Sequence, residues 1–256
     1  MQPRVGLFVT CLVDLMRPSV GFAAARLIEQ AGCTVVVPHR QTCCGQPAYN
    51  AGDRKSAREL ARQTILAFAG CDFVVAPSGS CAAMLRLHYP ALFKGQSDAE
   101  FEAKAFAERV HELTDFLANV RGQTASDARF EGRVVHHDAC AGLRELGIKS
   151  APRRLLSSVA GVELVEAPET TACCGFGGLF SVKYPEVSTA IADRRIADLT
   201  STAPDLVTAG DLGCLMHLAG RLRRTGNPLP CRHIAEVLAG ELAEPPIAGS
   251  AGETAP

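Results

Sequence analysis

The sequence predicts an α/β protein built from two repeated cysteine-rich domains, each with a mainly parallel sheet, related by a pseudo-two-fold axis. A duplicated cysteine pattern, duplicated β-branched runs beside it and helical periodicity between those runs lead to this prediction. Cys11 is followed by 31 residues and then Cys43-Cys44-Gly45, with Cys81 downstream. Cys140 is followed by 32 residues and then Cys173-Cys174-Gly175, with Cys214 downstream. The offset between copies is about 130 positions, a period that marks a domain duplication rather than a short solenoid repeat.

The strands repeat with the cysteines. Val5–Val9 reads as a buried strand ending at Cys11, and Val134–Asp138 as one ending near Cys140. Thr34–Val37 precedes the first Cys-Cys, and Val162–Val165 the second. Phe73–Ala76 leads to Cys81, and Leu206–Ala209 to Cys214. Ala57, Leu60, Ala61, Ile65 and Phe68 follow a 3.6-residue period, and Gly70 is a natural stop for that helix. Strands that alternate with helices predict parallel sheets, whose ligands gather in loops at the carboxyl ends of the strands. Every cysteine of the pattern lies just after, or shortly downstream of, such a strand.

The boundaries follow. Residues 1–121 form the first cysteine-rich domain and residues 132–242 the second, with a Gly-, Ser- and Asp-bearing junction over Arg121–Arg133. Residues 243–256 are rich in Pro, Gly, Ala and Ser and read as a disordered tail.

Composition excludes several function classes. A net charge of −1 gives no electrostatic case for nucleic acid or an anionic membrane surface, and the absence of Trp weakens base stacking. Arg4 and Asp14 bracket too short an apolar run for a signal peptide. The run Phe73–Leu85 is too short to span a bilayer and contains Pro77 and Gly79. A cytoplasmic location is expected. Eleven cysteines in that reducing compartment point to metal or redox chemistry rather than disulfides.

Four thiolates per half is the number that an iron–sulfur cluster or a structural zinc requires. Soft thiolates also suit Cu(I). Adjacent cysteines are unusual in zinc chelates, whereas a multi-iron cluster offers several metal atoms to neighbouring sulfurs. The candidate cofactor and metal ligands are therefore Cys11, Cys43, Cys44 and Cys81 in one half and Cys140, Cys173, Cys174 and Cys214 in the other. Cys33, Cys71 and Cys231 fall outside the repeat and read as buried structural thiols, with Cys231 placed near a helix start where its thiol would be more acidic. His136-His137-Asp138 before Cys140 reads as hydrogen-bonding support for the cluster rather than a nucleophile pair. His88 and His217 lie near the cysteines or on the surface. The Gly175-Phe176-Gly177-Gly178 run lacks the residues of a phosphate loop and reads as metal-loop geometry. Arg194-Arg195 and Arg221 to Arg224 read as solvated helix faces.

Cys43-Cys44-Gly45-Gln46-Pro47, Pro77-Ser78-Gly79-Ser80-Cys81, Cys173-Cys174-Gly175-Phe176-Gly177-Gly178 and Cys214-Leu215-Met216-His217 resemble the cysteine-rich CCG domain family. Within it the chain resembles the lactate utilization protein A family from Val5 to Leu238. It is more distantly similar to the B subunit of heterodisulfide reductase and the iron–sulfur subunit of glycolate oxidase. The resemblance implies a subunit of an oxidoreductase complex that oxidises L-lactate to pyruvate. It implies iron–sulfur clusters, [4Fe-4S] with one per repeat, and two partners: a ferredoxin-like iron–sulfur subunit and a third subunit. In the heterodisulfide reductase relatives each motif holds a noncubane [4Fe-4S] cluster and closes in Cys-x-x-Cys. Here Ser78 and Asp211 stand at the first position of that closing pair, either as oxygen ligands or as helix caps. Two other functions fit the cysteines: a heterodisulfide-reductase-like thiol/disulfide redox subunit, and a zinc-stabilised scaffold with no redox role.

Overall fold

The computed structural model describes residues 2–247. The first half runs β1 (Arg4–Leu7), α1 (Cys11–Met16), α2 (Pro18–Gln30), β2 (Thr34–Val36), α3 (Gln46–Asn50), α4 (Arg54–Ala67), β3 (Phe73–Ala76), α5 (Gly79–Ala83), a π-helical turn Met84–His88, α6 (Tyr89–Leu92), α7 (Ser97–Ala107), β4 (Val110–Glu112), α8 (Leu113–Asp115) and a second π-helical turn Phe116–Val120. The second half runs β5 (Arg129–His137), α9 (Cys140–Arg144), α10 (Ser150–Ser157), β6 (Ala160–Val165), α11 (Leu179–Lys183), α12 (Pro185–Thr200), β7 (Leu206–Ala209), α13 (Leu212–Arg224), β8 (Cys231–His233) and α14 (Ile234–Ala239).

Two four-stranded sheets result, ordered β2-β1-β3-β4 and β6-β5-β7-β8, and every pairing is parallel. The strand order reverses between β1 and β3 and between β5 and β7, which makes each pair a topological switch point. Val5 and Leu7 of β1, Val74 to Ala76 of β3 and all four residues of β7 are buried. Such continuous apolar strands are what helices on both faces of a parallel sheet require.

The edge strands β4 and β8 carry no β-branched run: Val110-His111-Glu112 and Cys231-Arg232-His233 are held by pairing to β3 and β7. Cys231 thus sits in a strand rather than at a helix start. Burial pushes its thiol up to about 12 instead of making it acidic.

The halves share a core. The hydrophobic cluster over Val5, Leu27, Ile28, Leu113 and Phe116 is continuous with Val134, Leu155, Leu156, Val237 and Leu238. Each such side chain contributes roughly 1.5–3 kcal/mol by leaving water. Pro18 starts α2 at its first turn, and Val20, Ala24, Leu27 and Ile28 form the stripe that packs on α14. A capping box between His233 and Glu236 opens α14, and Gly240 closes it. In the symmetry-equivalent contact, α10 packs on α8 and the turn Phe116–Val120. Likewise α5 meets α9, and α1 meets α13. These paired contacts define the pseudo-two-fold axis.

Of the expected tail, residues 243–247 lie against β8. Ile247 N–H donates to the Cys231 carbonyl, and Arg232 reaches the Leu242 and Glu244 carbonyls. Residues 248–256 lie outside the described residues.

Candidate metal centres

Each half brings its four motif cysteines into contact at its switch point. Cys11 opens α1 directly after β1, behind Thr10, whose hydroxyl accepts from the Val13 N–H at 3.3 Å. Cys43 and Cys44 sit in the loop between β2 and α3, which turns at left-handed Gly45. Cys81 lies in α5, beyond β3. Cys11 Sγ stands 3.8 Å from Cys43 Sγ. Thiol contacts continue from Cys43 to Cys44 and from Cys44 to Cys81. The second half repeats the chain as Cys140–Cys173–Cys174–Cys214.

The middle thiols collect hydrogen bonds. Bonds from Cys11 and Cys44 pull the Cys43 thiol down to about 2, and bonds from Cys140 and Cys174 do the same to Cys173. The donating thiols Cys11, Cys44, Cys140 and Cys174 are pushed up, first by those same hydrogen bonds and then by burial. Backbone donors assist in the second loop, where Gly175 N–H points at Cys173 Sγ (3.3 Å) and Phe176 N–H at Cys174 Sγ (3.4 Å). Among the described residues every cysteine is a free thiol. Four soft donors in mutual contact, with backbone N–H groups aimed at sulfur, fit a thiolate-ligated metal group.

The helices bearing Cys81 and Cys140 meet, as do those bearing Cys11 and Cys214. The approach is close: a Cβ on Gly79 would lie 2.9 Å from the Gly142 Cα.

Residues 5–86 and 134–219 match the cysteine-rich CCG domain, one copy in each half. Over 235 residues the chain is 48% identical to Lactate utilization protein A of Geobacillus kaustophilus, covering 92% of this chain and 98% of that protein. It is 42% identical over 241 residues to Lactate utilization protein A 2 of Bacillus cereus strain Q1, covering 94% and 100%. The chain belongs to the lactate utilization protein A family.

Against that family background the remaining candidates sort themselves. Ser78 and Asp211 cap α5 and α13, accepting from the Cys81 and Gly213 N–H groups. Ser78 also donates to Asp211 (3.0 Å), which accepts from the Ser80 N–H and hydroxyl as well. Their polar atoms are thereby engaged as caps and with one another. His136 bonds Thr208 at 3.0 Å, while Asp138 takes a two-pronged ion pair from Arg153.

His137 is the histidine that reaches the sulfurs. One of its ring nitrogens and the sulfurs of Cys174 and Cys214 lie within 4.8 Å of one another. Burial and then the Arg195 charge push its pKa down to about 3, so the ring is neutral. His217 lies half-buried against Ser188, and His88 pairs with Glu145 across the halves.

Arg195 corrects the expectation of a solvated face. It is 1% exposed, donates to His137 Nδ1 and the Glu169 carbonyl, and pairs with Asp198. Its spacing carried the signal, since Ser188, Ala192, Arg195 and Leu199 form the buried stripe of α12. Arg194 beside it is exposed, and Arg221 pairs with Asp193.

The surroundings of the two sets differ. A groove of about 320 Å³ opens beside Cys11 and Cys43, walled by Val9, Asp14, Leu15 and His39. No lysine or arginine lines it. At the matching place in the second half Arg144 stands where the first has exposed Leu15, and it reaches across to the Thr171 carbonyl.

Proposed function

We propose that this chain is the cytoplasmic iron–sulfur electron-transfer subunit of a complex that oxidises L-lactate to pyruvate. The observation that carries this reading is the pair of four-thiol sets, each at a switch point and each borne on helices that meet those of the other half. Cys11, Cys43, Cys44 and Cys81 would hold one [4Fe-4S] cluster, and Cys140, Cys173, Cys174 and Cys214 the other. Such clusters accept and release single electrons.

The protein's own residues position and shield those groups. Helices α1, α5, α9 and α13 present one thiol each at or near their amino-terminal turn. The two CCG loops add adjacent thiols, and burial of Cys44, Cys81, Cys174 and Cys214 excludes water on the inner side.

The chain carries no flavin or nicotinamide motif. Its open groove holds the Asp14 carboxylate and no fixed cation, a poor match for the carboxylate of lactate. Lactate oxidation is therefore assigned to partners, a ferredoxin-like iron–sulfur subunit and a third subunit, with this chain relaying electrons. No helix among the described residues is long and apolar enough to cross a membrane. The test is anaerobic purification with iron, sulfide and zinc analysis and a visible spectrum. About four irons and four sulfides per half are expected. Zinc without sulfide would sink the reading in favour of a scaffold. Disulfide turnover with loss of cluster signal would favour a thiol/disulfide reductase.

A further inference from the structure

We propose that His137 and Arg195 form a tuning pair, in which Arg195 fixes the His137 tautomer so that its Nε2–H donates to the second thiolate set and holds the group there at a higher reduction potential than the first. The inference rests on the iron–sulfur reading above and concerns what distinguishes the two sites within it.

The argument begins with the direction of one hydrogen bond. Arg195 Nε–H donates to His137 Nδ1 at 3.1 Å. A guanidinium has donors only, so Nδ1 must be the acceptor and the ring proton resides on Nε2. A protonated Nε2 has no lone pair for a metal. His137 therefore acts as a hydrogen-bond donor rather than a fifth ligand, although it stands with Cys174 and Cys214. Nε2 is buried and has no hydrogen-bond partner among the described residues, and neither has Arg195 Nη2. An orphaned buried donor costs about 1–3 kcal/mol, so two of them beside four thiols call for an acceptor that the described residues do not supply. The sulfurs of a bound anionic group are such an acceptor.

The first half lacks both members. Phe8 lies three residues before Cys11, as His137 lies three before Cys140. On α4, Ala57, Ala61 and Thr64 form the stripe that Ser188, Ala192 and Arg195 form on α12, so Thr64 stands for Arg195. Tyr89 fills the remaining polar need, donating toward the Cys44 carbonyl and Thr64 Oγ1 rather than to sulfur. Phe8 in turn packs against Phe68. One set is thus walled by aromatic rings, the other by an imidazole N–H and a buried cation. Hydrogen bonds to sulfur are one of the protein's levers on cluster potential, and an Nε2–H donor favours the reduced form in the second half.

The test uses the full chain, reconstituted anaerobically, in a redox titration followed by electron paramagnetic resonance. Two potentials are expected. His137→Phe should lower the upper one by on the order of tenfold in its reduction equilibrium, about 59 mV for one electron, and leave the lower one in place. His137→Gln, which keeps an N–H donor, should restore much of that shift, and Arg195→Met should reproduce the loss. In parallel, ¹⁵N-histidine spectra of the wild type, assigned against His137→Gln, should show His137 as the Nε2–H tautomer. A proton on Nδ1, coincident wild-type potentials, or an upper potential unmoved by His137→Phe would overturn the proposal while leaving the iron–sulfur reading intact. Absence of iron and sulfide would instead remove that reading, and the tuning role with it.

Discussion

Ser78 Oγ donates to Asp211 Oδ2 at 3.0 Å, joining two residues 133 positions apart that occupy equivalent places in the two halves. Each lies two residues beyond the third strand of its half and caps the helix that carries the last cysteine of its motif. One carboxylate therefore serves two helix starts, Gly213 N–H through Oδ1 and Ser80 N–H through Oδ2.

Asp211→Ala should remove the α13 cap and the acceptor of the Ser80 N–H at once. At about 1–2 kcal/mol for each N–H that loses its acceptor, a loss of roughly 2–4 kcal/mol is expected, visible as a lower urea midpoint with unchanged slope. Ser78→Cys and Asp211→Cys should leave the iron content and resonance spectrum unchanged while lowering the melting temperature. A changed spectrum with retained stability would restore these positions as ligands.

The two CCG turns should differ in tolerance. Gly45 and Gly175 share left-handed backbones, φ 83° and 88°. A Cβ at 45 would lie 3.5 Å from Leu60, ordinary contact, whereas one at 175 would lie 2.5 Å from the Ser188 carbonyl oxygen. Gly45→Ala should cost about 1–2 kcal/mol, the left-handed strain alone. Gly175→Ala should in addition displace the Cys173-Cys174 loop and, on the proposed iron–sulfur reading, lose about half of the iron. Equal iron contents in the two variants would contradict this.

Arg17 Nε pairs at 2.8 Å with Glu236, a fully buried carboxylate that also accepts from Ser19 and the His233 N–H. Arg17→Met leaves that charge uncompensated and should destabilise the fold by roughly 3–5 kcal/mol in denaturant titration. Arg17→Met combined with Glu236→Leu should recover most of it, and failure to recover would place the cost in packing instead.

Glu112 gives a pH signature. It is buried, and desolvation pushes its pKa up to about 7 despite bonds from Thr114 and Asp115. A raised carboxyl pKa means that the folded state holds the proton more tightly than the unfolded one. The stability it contributes is present at low pH and lost as pH rises from about 4.5 through 7, a difference of roughly 3 kcal/mol. Glu112→Gln should flatten that part of the profile, so that wild type minus variant changes between pH 5 and 8. A pH-independent difference would rule out the buried proton.

The repeat, six of the eight strands and the gathering of the eight cysteines were legible in the sequence because period and β-branched runs mark them directly. β4 and β8 were not, since Val110-His111-Glu112 and Cys231-Arg232-His233 owe their strand state to neighbours rather than to their own propensity. The choice between ligand and cap at Ser78 and Asp211 stayed open, because the bond that engages both oxygens across the halves exists only after the halves meet. Arg195 was misread from its charge, although its place on the α12 stripe was available. The choice of His137 over His136 follows from strand alternation, which sends neighbours to opposite faces, but deciding which face meets the sulfurs requires the sheet.

The shared core has an ancestral reading. α2 seals against α14 just as α10 seals against α8, so each half offers the other the same kind of surface that it receives. A chain consisting of one half alone would leave Leu27, Ile28, Leu113 and Phe116 uncovered, and a second copy of itself could cover them through an isologous contact. The present protein is then a homodimer made covalent. Two copies joined in one chain need not be identical, and one carries Phe8 where the other carries His137.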